Sequence, residues 1–213
     1  MQKGLYVVFE GVVASGKTTQ SKKLYEYLKA KYPNIHVVWT REPGGSEVAD
    51  EIRRVVQATP FKEQMDPICE AYLYAASRAQ TLQKIVKPVL NKGGIVIADR
   101  SFLTSVAFQG AGRGLDYKTI LNINKIALGA IVPKCVLFIN VPLNVALSRA
   151  TDQAGDKFES MGIDFFSKVE KGYNYLSSTS KYSKIWNNVG GNAPIDTVFN
   201  NILKAINPYL KNY

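Results

Sequence analysis

The sequence contains very little cysteine and histidine. Cys69 and Cys135 are its only thiols, and His36 is its only imidazole, among 213 residues. Two cysteines exclude a disulfide framework, and so few ligands exclude a zinc site built from several Cys and His. His36 lies in a strand pattern, where we expect a structural role, which disfavours a Ser-His-Asp mechanism. Two thiols in a chain without an export signal favour a cytoplasmic protein.

Long hydrophobic runs are also lacking. The longest cover residues 5–9 and 95–98, whereas a membrane helix needs about 20 apolar residues. The first run begins almost at the N-terminus, so we expect neither a signal peptide nor a membrane partner. Apolar residues make up 46% of the sequence and charged residues 21%. This composition is typical of globular proteins and excludes a disordered chain.

Acidic residues are in the minority. Lys and Arg number 27 against 17 Asp and Glu, which gives a formal net charge of +10. Such a charge fits a solvated surface, a polyanionic small-molecule ligand or nucleic acid. The sequence has no basic tail, no Arg-rich block and no recognition motif for nucleic acid. We therefore expect no nucleic-acid partner.

Short apolar segments alternate with helical patterns along the chain. Strands are predicted over residues 5–9, 35–40, 95–98, 135–140 and, more weakly, 184–189. Helices are predicted over residues 18–32, 48–57, 66–90, 117–128, 143–150, 163–176 and 195–210. This alternation predicts an α/β fold with a parallel five-stranded sheet flanked by helices. Ligands of such sheets bind at the carboxyl ends of the strands, and the polar motifs follow strands.

A phosphate-binding pattern follows the first strand. Residues 11–18 read G-x-x-x-x-G-K-T, which satisfies the P-loop consensus. Its glycines let backbone N–H groups face phosphate oxygens, Lys17 can reach the β- and γ-phosphates, and the Thr18 hydroxyl can bind Mg²⁺. The next helix adds its positive end. A glycine turn with a surface lysine is the alternative. The predicted ATP site comprises Gly11, Val12, Val13, Ala14, Ser15, Gly16, Lys17, Thr18 and Thr19.

An acidic residue ends the third strand. Four apolar residues lead into Asp99, as in P-loop enzymes, where an acid at a strand end holds the metal ion or its water. The alternative is a solvated ion pair between Asp99 and Arg100. The P-loop in the same chain favours Thr18 and Asp99 as the metal-binding residues.

Together these motifs resemble those of the thymidylate kinase family, P-loop enzymes that phosphorylate dTMP with ATP. Residues 9–20 resemble the first family motif, 41–45 (Arg-Glu-Pro-Gly-Gly) the second, and 99–100 with 105–110 the third. Residues 74–78 match the base-reading helix, and 155–159, 164–166 and 172–173 resemble the lid and its following helix. The resemblance covers roughly residues 5–173. It implies one P-loop kinase domain over 1–213, a short lid at about 150–160, ATP and Mg²⁺ as cofactors, and a homodimer.

The resemblance also implies which side chains bind the monophosphate. Arg41 and Arg100 are expected to neutralise its phosphate, which carries about two negative charges. Tyr74 and Arg78 share a helix face, so one can stack on a pyrimidine while the other donates to a base carbonyl; a core aromatic and a surface ion pair are the alternatives. Phe108 is expected against the sugar, where it disfavours a 2′-hydroxyl. The other implied substrate contacts are Glu10, Pro43, Ser105, Gln109, Asp156 and Glu159.

Two features depart from the family pattern: Val13 in the P-loop and a lid that is poor in arginine. The family usually has an acid at the position of Val13, which hydrogen-bonds the sugar 3′-hydroxyl. One family type has a basic residue at the position of Ala14, whereas the other type has its basic residues in the lid. We therefore expect relaxed selectivity at the 3′ position and a lid that supplies charge. The implied catalytic residues are Lys17, Asp99, Arg100, Arg149 and Lys157, and Arg149 is also expected to contact ATP.

Three other functions stay open at this point. Another (deoxy)nucleoside monophosphate kinase, acting on a standard, modified or 3′-substituted nucleotide, would use the same fold. A non-catalytic nucleotide-binding protein is suggested by Val13 and the arginine-poor lid, and a nucleic-acid-binding protein by charge alone. Phosphoryl transfer needs no nucleophilic side chain, because an oxygen of the monophosphate attacks the γ-phosphorus. The intact P-loop and arginines favour a catalytic protein, and the family resemblance implies a thymidylate kinase that makes dTDP for dTTP synthesis.

Overall fold

The computed structural model describes residues 4–57, 62–151, 161–211 and 213. A five-stranded parallel sheet forms its centre, with the strand order β2-β3-β1-β4-β5. The strands are β1 (Leu5–Glu10), β2 (Val37–Arg41), β3 (Ile95–Asp99), β4 (Cys135–Asn140) and β5 (Trp186–Gly190). The α/β fold with a parallel five-stranded sheet is therefore confirmed.

Helices connect the strands. They are α1 (Lys17–Lys31), α2 (Glu47–Gln57), α3 (Pro67–Thr81), α4 (Lys87–Asn91), α5 (Phe102–Ser105), α6 (Tyr117–Leu128), α7 (Leu143–Thr151), α8 (Ile163–Ser178) and α9 (Ile195–Ile206). Two π-helical segments, Leu82–Val86 and Val106–Gly112, continue α3 and α5, and 3₁₀ turns cover Ser183–Ile185 and Asn207–Tyr209. The helix predicted over residues 66–90 is thus present, but its middle part, Leu82–Val86, is π-helical instead of α-helical.

The interior strands are apolar because both faces of the sheet are covered. Every residue of β1 and β3 is buried, which is the pattern of strands inside a parallel sheet with helices on both sides. Only one residue of edge strand β5 is buried, which explains why its sequence signal is weak. His36 lies just before β2 with an exposed side chain, and its carbonyl accepts from the amide of Ile95 at 3.0 Å.

The helical segment over residues 102–112 was not predicted. Phe102, Leu103, Val106, Ala107 and Phe108 are all buried, so the segment shows no polar face and no helical periodicity. Its start is nevertheless marked by a cap: the Ser101 hydroxyl accepts from the amide of Leu103 at 3.2 Å.

Strand register brings three polar residues to one edge of the sheet. Phe9 in β1 and Arg41 in β2 both pair with Asp99 at the end of β3. Glu10 follows Phe9, so Glu10, Arg41 and Asp99 meet at the carboxyl edge. None of the helices in the described ranges is long and apolar enough to cross a membrane.

Candidate active site

The P-loop needs glycine at both of its ends. Gly11 has φ +145°, and a Cβ there would lie 2.7 Å from the carbonyl oxygen of Ile139. Gly16 has φ +92° and is the residue immediately before α1. Residues with a side chain rarely adopt such φ angles, whereas glycine adopts them without strain. The two glycines therefore let the loop turn tightly from β1 into the helix. Ala14 between them also has a positive φ, +51°.

Lys17 is buried at the start of α1. Its Nζ donates to the carbonyl oxygen of Val12 at 2.5 Å and to the Ser15 hydroxyl at 3.2 Å. Burial lowers the pKa of Lys17 to about 7; nearby Arg100 lowers it further, whereas Asp99 and Glu10 oppose the shift. A bound polyphosphate would favour the charged amine. The ammonium is therefore held inside the loop, where phosphates are expected.

Thr18 and Asp99 form a pair of hard oxygen ligands. The Thr18 hydroxyl donates to Oδ2 of Asp99. The other carboxylate oxygen, Oδ1, is buried and has no hydrogen-bond partner within the described part of the chain. Carboxylate and hydroxyl oxygens suit Mg²⁺, so these two residues fit the metal that the sequence implies.

Two cavities adjoin the P-loop. The inner cavity is lined among others by Tyr74, Arg78, Phe108 and Gln109. The outer cleft, which is open to solvent, is lined among others by Lys17, Thr18, Arg41 and Asp99. The residues that line both are Val13, Glu42, Gln57 and Arg100. A ligand can therefore extend from one cavity into the other past these four side chains.

Arg100 lies where the two cavities meet. Its amide donates to the carbonyl oxygen of Phe9 at 2.9 Å, and its φ is +77°. Nη1 donates to the carbonyl oxygen of Gly11 at 3.2 Å and to the Thr104 hydroxyl at 3.4 Å. The guanidinium lies 5.1 Å from the centre of the Phe108 ring. These contacts hold a positive fork beside the P-loop.

Arg78 is buried rather than paired at the surface. Its Nε donates to Oε2 of Glu42 at 2.6 Å, and Nη2 donates to the carbonyl oxygen of Ser101 at 3.3 Å and to the Ser105 hydroxyl at 3.2 Å. Nη1 donates to Oδ1 of Asn124. The surface ion pair considered as an alternative is therefore wrong. Ser105, expected at the base edge, contacts Arg78.

Glu10, the residue before the P-loop, is buried and hydrogen-bonded to two other segments. Its carboxylate accepts from the hydroxyls of Ser101 at 2.7 Å, Thr104 at 2.6 Å and Tyr173 at 3.0 Å. Burial raises the pKa of Glu10, and the three hydroxyl donors and Arg100 oppose this shift. The carboxylate thus joins the end of β1 to α5 and α8. Glu10 was expected to contact the substrate, but the hydroxyl groups that donate to it belong to the protein itself.

Gln109 lines the inner cavity, and only one half of its amide has a hydrogen-bond partner among the described residues. Nε2 donates to Oε1 of Glu70 at 2.9 Å, whereas Oε1 is buried with no hydrogen-bond partner among the described residues. Phe108 beside it packs edge-on against Phe165 and Phe166 of α8, with ring centres 6.0 and 6.3 Å apart. Tyr74 is 5% exposed and lines the same cavity.

The remaining predicted residues lie farther out or outside the described ranges. Arg41 lines the outer cleft and pairs with Asp50 at 3.1 Å, and Pro43 lines the inner cavity. Arg149 on α7 donates to Oδ1 of Asn192 at 3.3 Å. The residues expected from the lid that lie outside the described ranges are Asp156, Lys157 and Glu159.

Several cavity residues were missed by sequence reasoning. Trp39 lines the outer cleft and lies two residues before Arg41, so strand alternation could have placed both on one face. Gln57 and Arg53 come from α2 and line the outer cleft, and Thr104 from α5 lines the inner cavity. No local pattern marks these three residues, because their role depends on how distant segments pack.

The geometry defines a class of enzyme. A loop suited to a triphosphate opens, past Arg100, into an inner cavity with its own buried arginine. P-loop enzymes that phosphorylate a bound nucleotide need this arrangement, because donor and acceptor phosphates must meet in line. The site is that of a P-loop nucleoside monophosphate kinase.

Comparison with known proteins gives the family. The sequence model described as thymidylate kinase matches residues 9–202. A thymidylate kinase of Finegoldia magna is 35% identical over 203 residues, covering 95% of this chain and 97% of the relative. One of Desulforudis audaxviator is 39% identical over 175 residues, covering 82% and 78%. The crystal structure of the thymidylate kinase from Ehrlichia chaffeensis has a TM-score of 0.76 at 29% identity, covering 96% of this chain and 99% of that one. The chain belongs to the thymidylate kinase family.

Proposed function

We propose that this protein transfers the γ-phosphoryl group of ATP to dTMP, giving dTDP and ADP. The choice of thymine as the base rests on one observation: the inner cavity is lined by both a hydrogen-bond donor and a hydrogen-bond acceptor. Four of the five N–H donors of Arg78 bond groups in the described ranges, which leaves one for a ligand, and the unpartnered Oε1 of Gln109 is an acceptor. Thymine offers the O4 acceptor beside the N3–H donor, which complements this pair. Cytosine offers an amino donor and a bare N3, which does not.

Aromatic side chains support a deoxynucleotide in this cavity. Tyr74 offers a ring on which a pyrimidine can stack. Phe108 is fixed by edge-on contacts with Phe165 and Phe166, so it cannot easily yield to a larger sugar. A ribose 2′-hydroxyl placed against this ring would lose its hydrogen bonds to water. The cavity therefore favours deoxyribose.

The phosphates are expected to meet in the outer cleft. Arg41 and Arg100 both line it, and two guanidinium forks can hold a phosphate that carries about two negative charges. An oxygen of dTMP then attacks the γ-phosphorus of ATP as the bond to the β-bridging oxygen breaks. Lys17 stabilises the negative charge on the β- and γ-phosphates. No side chain has to act as a nucleophile.

Magnesium is the metal proposed for this site. Thr18 and the unpartnered Oδ1 of Asp99 would hold it or its water. When bound, the ion neutralises charge on the transferring phosphates. Arg149 and Lys157 are the proposed cations of the lid side. Arg149 contacts Asn192, and a Cβ at Gly191 would lie 3.3 Å from the Ser15 carbonyl oxygen, so this segment lies against the P-loop.

A homodimer is the proposed assembly. Helix α2 packs against α3, and α3 against α6. These three helices carry exposed apolar side chains: Val48 and Val55 on α2, Ile68 and Tyr72 on α3, and Ile126, which is 91% exposed, on α6. A second copy would cover this surface. Light scattering should give a dimer mass, and Ile126→Glu should shift it toward the monomer.

The free thiols of Cys69 and Cys135 support a cytoplasmic site of action.

A coupled ADP-release assay tests the proposed activity. ATP, Mg²⁺ and a panel of monophosphates (dTMP, dUMP, dCMP, dGMP, dAMP and UMP) are supplied in turn. We expect the highest kcat/KM with dTMP, and loss of turnover in Lys17→Ala. Lys29→Ala, an exposed change on the same helix, is the matched control and should remain active. A preference for another monophosphate, or ATP binding without turnover, would reject the proposal.

A further inference from the structure

Glu70 is a fully buried carboxylate on α3 that the proposed mechanism does not use. Its side chain is 1% exposed. Oε2 accepts from Nη2 of Arg113 at 3.0 Å, and Oε1 accepts from Nε of Arg113 at 3.4 Å. The same Oε1 accepts from Nε2 of Gln109 at 2.9 Å. Glu70 thus joins a partly buried ion pair to a residue of the inner cavity.

The pairing with Arg113 keeps Glu70 an acceptor. A buried carboxylate is costly unless a counter-charge and hydrogen bonds compensate it, and the fork of Arg113 supplies both. The Arg113 guanidinium also lies 5.6 Å from the centre of the Phe165 ring, which anchors it on α8. An ionised carboxylate has no hydrogen to donate. Any neighbour that faces Glu70 must therefore present a donor.

The amide of Gln109 has two ends of nearly equal shape but opposite character. Its NH₂ group donates, and its oxygen accepts. With Glu70 ionised, the NH₂ end must face the carboxylate, because the reversed amide would set two acceptors about 2.9 Å apart. The oxygen is then directed to the other side, where it is buried without a hydrogen-bond partner among the described residues. Glu70 thereby determines whether the end of the amide opposite the carboxylate is an acceptor or a donor.

We propose that Glu70 is a positioning residue for base selection: it fixes the amide of Gln109 so that the inner cavity accepts a pyrimidine with N3–H and rejects one with a bare N3. This inference rests on the proposed function. Glu70 acts through Gln109 and does not itself contact the nucleotide. A reversed amide would present NH₂ to the base, which suits the bare N3 of cytosine and not the N3–H of thymine.

The test compares substrates in Glu70→Gln. A glutamine at position 70 can donate or accept, so Gln109 can take either orientation. We expect the ratio of kcat/KM for dTMP to that for dCMP to fall about tenfold, the scale of one hydrogen bond. An equal fall for both substrates, with the ratio unchanged, would overturn the inference, because a purely structural role predicts that result.

A double-mutant cycle isolates the route through Gln109. Gln109→Met should also lower the ratio, and adding Glu70→Gln to it should lower the ratio no further. Additive effects would overturn the inference. Should Glu70→Gln fail to fold, Glu70→Asp, which draws the carboxylate away from Gln109, should lower the ratio in its place. Wild-type protein without a preference for dTMP over dCMP would reject the proposed function, whereas a wild-type preference with unaltered variants rejects the inference alone.

Discussion

Arg78 and Glu42 form an ion pair inside the protein: Nε of Arg78 lies 2.6 Å from Oε2 of Glu42, and each side chain is only 2% exposed. Burial raises the pKa of Glu42, whereas Arg78 and the hydroxyl of Tyr6 hold it down. The pair joins the residue that follows β2 to the last turn of α3, where Arg78 lines the inner cavity. The side chain proposed to recognise the base is therefore also part of a buried ion pair that we expect to stabilise the fold.

Removing the acid of this pair should be costly. Glu42→Leu leaves Arg78 charged and buried without its counter-ion, so we expect the free energy of unfolding to fall by about 3–5 kcal/mol. Urea denaturation measures this change. The control is Glu51→Gln, which removes the exposed pair with Arg54 and should cost under about 1 kcal/mol. Similar small losses in both variants would contradict the account.

ATP binding should weaken above neutral pH. Burial lowers the pKa of Lys17 to about 7 in the free protein, and bound phosphates favour its charged form. Binding must therefore take up a proton when the pH exceeds about 7, so the Kd for ATP should rise as the pH increases from 7 to 9. Calorimetry in buffers of different ionisation enthalpy should detect this uptake. In Lys17→Arg, whose side chain stays charged, the uptake should vanish; its persistence there would assign it to another group.

The metal pair predicts a shift in magnesium dependence. Asp99→Asn keeps the shape of the side chain but removes its charge, so we expect a Mg²⁺ requirement at least about tenfold higher at half-maximal rate. Titration of activity with Mg²⁺ at fixed ATP measures it, and a chelator should abolish turnover in the wild type. An unchanged requirement in Asp99→Asn would show that other groups hold the metal.

Selectivity at the sugar should respond to position 13. Val13 lines both cavities, and it cannot hydrogen-bond a 3′-hydroxyl. Val13→Asp should raise the efficiency ratio of dTMP to 3′-deoxy-dTMP by about three- to tenfold, the range of one hydrogen bond. Steady-state kinetics with the two substrates provide the ratio. If the ratio does not move, Val13 is not beside the 3′ position.

The sequence predicted the parts of this protein that are locally encoded. The apolar runs of β1 and β3 and the spacing from Gly11 to Thr18 carry their own signals, because strand burial and phosphate binding depend on adjacent residues. Asp99 was found because it directly follows such a run.

The partners of the site residues could not be predicted in this way. Arg78 contacts Glu42, Ser101 and Asn124, which come from three separate segments. Glu70 carries no local pattern that connects it with Gln109. These contacts are set by how helices pack on the sheet, and a single sequence does not reveal that packing.

A crystal structure of the protein with dTMP tests the central claim most directly. The account predicts thymine in the inner cavity, with N3 about 2.9 Å from Oε1 of Gln109 and O4 at a similar distance from the guanidinium of Arg78. It also predicts the phosphate beside Arg100. Thymine bound elsewhere, or bound there with the amide of Gln109 reversed and no contact to Arg78, would contradict the account.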